Sequence, residues 1–111
     1  MNTTNTISLP PVVASYFEAA NRFDAVAAAA CFTSDATVCD NGREFTGTAA
    51  IERLMSESNE VQPRVTVKRA VTAGGIATIL GTVEGNFPGS PVELDFEFSL
   101  QDGKISNLTV S

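Results

Sequence analysis

The sequence predicts an α+β domain in which an antiparallel sheet is packed on one side by helices. Apolar residues at helical spacing are confined to its first half, and the second half alternates with a period of two between glycine-containing turn pairs. Of 111 residues, 43% are apolar and 18% charged. Helices first and hairpin-linked strands after them segregate the two element types, and this much apolar material in a chain of this length fills one core.

The elements follow in order. Residues 1–9 are mostly polar and unpatterned and read as a flexible tail, which leaves 10–111 as a single domain without repeat or linker. Pro10 and Pro11 open the first helix, where a missing N–H costs nothing. Val12, Val13, Tyr16, Phe17 and Ala20 give it one apolar stripe to about residue 21. Asp24 is a good N-cap for a second helix, Ala25 to Phe32, which is nearly all alanine. Those small side chains either pack closely on a neighbour or leave space for a ligand. Thr33-Ser34-Asp35 breaks this helix, and Ala36 to Asp40 forms a short strand. Asn41-Gly42 is the strongest hairpin signal in the chain and returns it along Arg43-Glu44-Phe45. Gly47-Thr48 starts a third helix, Ala49 to about Glu57, with Ile51, Leu54 and Met55 on its apolar side. Four longer strands follow: Arg64 to Ala73, Ile76 to about Gly85, Val92 to Leu100 and Lys104 to Val110.

Composition excludes several function classes. Thirteen acids against seven bases give a net charge of −6, which disfavours nucleic acid and anionic membranes as partners. There is no histidine, so imidazole catalysis and imidazole metal sites are ruled out and no metal is expected. Cys31 and Cys39 lack the spacing of a zinc or redox motif and are expected as reduced, partly buried small hydrophobes. Gly74-Gly75 and Gly103 are turn glycines without the strand-to-helix setting of a phosphate loop. No apolar run is long enough to span a membrane, and the first residues lack the basic and apolar regions of a signal peptide. The expected location is the cytoplasm.

Three residues carry candidate chemistry. Asp40 shares its strand face with Ala36 and Val38, so alternation places a carboxylate on an apolar surface, where burial would raise its pKa. It is either a pocket acid or base, or a turn residue before Asn41-Gly42 that bonds nearby backbone. Tyr16 lies inside the apolar stripe of the first helix. Its hydroxyl either donates into a pocket or belongs to a core tyrosine bonded at the rim. Arg69 interrupts the inward set Val65, Val67 and Val71. It either offers a cation to an acidic ligand or to Asp40, or marks a bulge that returns it to water.

The order helix, helix, short hairpin, helix and four strands resembles the nuclear transport factor 2-like superfamily, which includes SnoaL-like polyketide cyclases and ketosteroid isomerases. The resemblance rests on Tyr16, on the run from Phe32 through Asp40, on Gly47 with Ile51, and on Gly103-Lys104-Ile105. It implies a curled antiparallel or mixed sheet shaped as a cone, closed by three N-terminal helices around an apolar pocket. It also implies a base at Asp40, an oxyanion-stabilising hydroxyl at Tyr16 and no cofactor. Val38, Phe17, Phe96 and Arg69 would form the ligand-binding wall. The isomerase pattern would set a second, protonated donor at Asp95. Alternation opposes this, because Asp95 shares its face with Glu93 and Glu97, and three carboxylates together form a solvated face.

Two functions remain open from sequence. One is a cofactor-free isomerase or cyclase that moves a proton on an apolar carbonyl compound. The other is a non-catalytic module of the same fold, binding a small apolar ligand or serving dimerisation. The resemblance further implies a homodimer joined through the sheet face bearing Thr66, Lys68, Glu93 and Glu97.

Overall fold

The computed structural model describes residues 8–111. Residues 1–7, most of the predicted tail, lie outside the described residues; Leu9 is half-buried and packs against the core. The described residues form helices α1 (Pro11–Asn21), α2 (Ala25–Ala29) and α3 (Thr48–Ser58), a 3-10 turn over Asn59–Val61, and six strands. The strands are β1 (Phe32–Asp40), β2 (Arg43–Thr46), β3 (Arg64–Ala73), β4 (Ile76–Glu84), β5 (Val92–Gln101) and β6 (Lys104–Val110).

One open, curled sheet has the order β2-β1-β6-β5-β4-β3. All neighbours are antiparallel except β1 and β6, which run parallel, so the sheet is mixed. Tight turns fix the hairpin registers. At Asn41 and Gly42 φ is 54° and 80°, and at Asp102 and Gly103 it is 52° and 78°, the paired left-handed conformation that matches strand twist.

The second helix departs from the sequence reading. It ends at Ala29, and Thr33-Ser34-Asp35 lies within β1 instead of breaking a helix. Pairing with β6 is the cause: Phe32 stands opposite Ile105, the Ile105 N–H donates to the Cys31 carbonyl at 2.9 Å, and Lys104 Nζ donates to the Ala30 carbonyl. A register shift between Phe32 and Thr37 absorbs the polar residues between them. Asp24 does cap α2, accepting from the Ala27 N–H at 3.0 Å.

The helices cover the inner sheet face, and the core lies between them. Phe98, Ile51, Ile79, Ile105, Leu108, Val13 and Val38 are its largest fully buried side chains. Aromatic residues form the centre: Phe98 meets Tyr16 and Phe17 edge-on at 5.5 and 5.6 Å and lies parallel to Phe96 at 6.4 Å. Asn21 ties the end of α1 to β3 through two bonds to the Val65 backbone, donating to its carbonyl and accepting from its N–H. Glu93, Asp95, Glu97, Thr66 and Lys68 all lie exposed on the outer face. Among the described residues no helix is long and apolar enough to cross a membrane.

Candidate functional site

A cavity of about 150 Å³ opens between the inner sheet face and the helices. Val38, Leu108, Val110, Phe96 and Leu94 form its sheet wall, and Ala20, Ala25 and Ala28 form much of its helical wall. The alanines of α2 therefore leave space as well as packing closely. Leu54, Met55, Ser58 and Asn59 close it from the end of α3. Gly81 permits the tight β3–β5 wall, since a Cβ there would meet Val65 Cγ1 at 2.9 Å and Phe96 Cε1 at 3.3 Å.

Asp40 and Tyr16 both line this cavity, although 24 positions separate them in the chain. Alternation carries Asp40 inward: Val38 pairs with Leu108 and Asp40 with Val110 on the same face. Burial at the cavity edge pushes the Asp40 carboxyl above its usual range, and the Arg43 guanidinium, opposite it across the β1–β2 hairpin, partly offsets this. Arg43 itself stacks over Phe45, 5.0 Å from the ring centroid.

Tyr16 is 6% exposed and held by edge-on contacts with Phe17, Phe32 and Phe98. Its hydroxyl donates to Met55 Sδ at 3.8 Å, a long contact to a weak acceptor. Burial raises its pKa far above the usual tyrosine value, and the nearby Asp40 charge raises it further. The hydroxyl thus stays protonated as a donor. A carboxylate that is a strengthened base and a hydroxyl with a weak acceptor face one apolar space. This pair can take a proton from carbon and stabilise the oxygen on which negative charge collects.

Val38 and Phe96 stand in the wall. Phe17 does not: it is 5% exposed, sits behind the wall and meets Phe96 edge-on at 5.3 Å, so it supports the lining without forming it. For Arg69 the bulge reading holds and its place in the ligand-binding wall is corrected. A β-bulge between Val67 and Arg69 shifts the register and leaves Arg69 exposed on the outer side, away from the cavity. Asp95 is exposed on the outer face, and its backbone exchanges hydrogen bonds with Ser111. Sequence reasoning missed Met55, Ser58 and Asn59 as lining residues. Met55 was visible only as part of an apolar stripe, and Asn59, which donates to the Phe23 carbonyl, carried no periodic signal. Among the described residues no three or more Cys, Asp or Glu side chains gather to hold a metal ion.

The family model described as a SnoaL-like domain matches residues 13–108. Among solved structures, a candidate polyketide cyclase from Sinorhizobium meliloti is 33% identical, with a TM-score of 0.89 over 93% of this chain and 95% of that one. A protein of ketosteroid isomerase-like fold from Catenulispora acidiphila, in complex with trimethylamine, is 20% identical, with a TM-score of 0.85 over 94% and 86%. A cystatin-fold protein from Novosphingobium aromaticivorans is 18% identical, with a TM-score of 0.81 over 96% and 99%. No curated protein matches the chain.

Proposed function

This chain belongs to the SnoaL-like domain family, and from that premise we propose that it is a cofactor-free proton-transfer enzyme of the isomerase or cyclase type. Its substrate is an apolar carbonyl compound. One observation carries the reading: a carboxylate of raised pKa and a buried hydroxyl bonded, among the described residues, to a thioether open onto the same apolar cavity. The substrate carbonyl takes the place of Met55 Sδ as acceptor for Tyr16. Asp40 removes a proton from the adjacent carbon, and Tyr16 stabilises the enolate oxygen. Where the substrate is β,γ-unsaturated, Asp40 returns the proton at the γ-carbon as the C=C bond shifts into conjugation, which isomerises it. Where the enolate carbon instead attacks another carbonyl of the substrate, that C=O π bond breaks and Asp40 returns the proton to the new alkoxide as the ring closes. The S. meliloti relative, described as a candidate polyketide cyclase, supports the reading.

The test is exchange of the α-hydrogens of cyclohexanone for deuterium in D2O, followed by NMR. The intact chain should accelerate exchange above buffer, and Tyr16→Phe should lower that acceleration by about 10²–10³-fold, the usual effect of losing one oxyanion donor. The outward position of Asp95 favours a second reading, a binding pocket in which Asp40 and Tyr16 only orient a ligand. That reading holds if the ligand binds and exchange stays at the buffer rate.

The proposal extends to a homodimer through the outer sheet face. Glu93, Asp95 and Glu97 on β5 flank one side of β4, and Lys68 and Arg69 on β3 flank the other. A two-fold axis near β4 would set each acidic row against the partner's basic pair. Light scattering at high micromolar concentration should give twice the chain mass, with the dimer weakening as salt is raised. A monomer under those conditions would contradict it.

A further inference from the structure

We propose that the pocket takes an uncharged compound with a single ring and excludes fused polycycles. This rests on the proton-transfer reading above and adds the size and charge of the substrate.

Size follows from volume and from the stiffness of the walls. An enclosed apolar cavity of about 150 Å³ holds a molecule the size of benzene, and the space inside the mouth of this one has about that volume. Its walls have few ways to retreat. Ala20, Ala25 and Ala28 have no side-chain torsion to rotate. Val38 and Leu108 are 1% and 0% exposed, fixed within the sheet. Phe96 is backed edge-on by Phe17 and lies parallel to Phe98, so moving it means moving the aromatic centre of the core. Met55 is the most adaptable side chain on the wall, unbranched and half-buried, and the remaining lining is held by the sheet and the aromatic core.

Charge follows from the lining. Asp40 and Asp24 stand in the wall, and among the described residues no lysine or arginine does. A carboxylate or phosphate on the substrate would meet like charge in an apolar space, and the cation opposite Asp40, Arg43, stands outside the wall. A neutral ring carrying one carbonyl or hydroxyl needs only Tyr16 and Asp40.

The experiment measures binding by calorimetry at neutral pH for phenol, 2-naphthol and a four-ring steroidal phenol. These share one hydroxyl and differ in the number of rings. Simple hydrophobicity predicts that affinity rises along the series. A rigid single-ring pocket predicts the reverse, with 2-naphthol about 10–100-fold weaker than phenol, the penalty expected from overpacking. Phe96→Ala should admit 2-naphthol and restore the hydrophobic order. Should that variant fail to fold, Ala28→Leu fills the same cavity from the helix side and should abolish phenol binding. Benzoate should bind more weakly than phenol. Affinity that rises with ring number, absence of phenol binding, or tighter binding of benzoate would each overturn the proposal. Failure of the proton-transfer reading looks different: the ring-size order would persist while cyclohexanone exchange stayed at the buffer rate.

Discussion

Replacing Asp40 with Asn is expected to lower the catalysed exchange of cyclohexanone by about 10²–10⁴-fold, the contribution of a positioned general base. Asn preserves the shape of the cavity edge and removes the proton acceptor. Binding of a neutral ligand should therefore hold or tighten, since an apolar cavity no longer carries a charge. Stability should move opposite to activity. The folded-state pKa of Asp40 is raised above the unfolded value by burial, so the folded protein binds more protons between those two values. Stability then falls as pH rises through that window and stays lower above it. Asp40→Asn should accordingly melt higher than the parent near neutral pH, with the difference vanishing below about pH 3.9, the ordinary carboxyl value. Exchange assays and melting curves on the same two proteins check both signs.

Phe98→Ala is expected to have the largest effect on folding. Phe98 is fully buried and touches Tyr16, Phe17 and Phe96 at once. Truncation of a buried phenylalanine costs about 3–5 kcal/mol, a large share of the roughly 5–15 kcal/mol that holds a domain together. At about 4 °C per kcal/mol for a domain of this size, the melting temperature should fall by roughly 12–20 °C. The functional consequence is indirect. Tyr16 and Phe96 each lose a wall of contact, so both faces of the cavity loosen, and ligand affinity should fall even where the variant remains folded. Thermal melts and phenol binding at low temperature separate the two effects.

Local chemistry made most of the fold legible in the sequence. Proline at the first turn, Asp24 at a cap and turn pairs with left-handed backbone act within a few residues, so α1 and the hairpins follow from their own segments. The β1 segment was not local. Thr33-Ser34-Asp35 falls within a strand because β6, some seventy positions later, pairs with Phe32 before it and with Thr37 to Asp40 after it, leaving the three polar residues as an irregularity between the paired stretches. The candidate site divides along the same line. Alternation alone sends Asp40 and Val38 inward and Asp95 outward, because strand register fixes a side chain's face. The stripe on α1 could not separate Tyr16, which lines the cavity, from Phe17, which lies behind it, since helical spacing gives a facing direction and not a depth. For Arg69 the break in the apolar set allowed either a site cation or a bulge, and only the β3–β4 register decides for the bulge. Met55, Ser58 and Asn59 needed the packing of α3 over the cavity mouth.

The most direct test of Asp40 as the base is a carbon-13 NMR titration of its side-chain carboxyl in the intact protein, read beside the pH dependence of cyclohexanone exchange. Burial at the apolar edge should place the midpoint above the ordinary value of about 3.9, and exchange should rise with pH through that same midpoint. A midpoint at or below the ordinary value, or exchange that ignores the titration, would show that Asp40 is not the base.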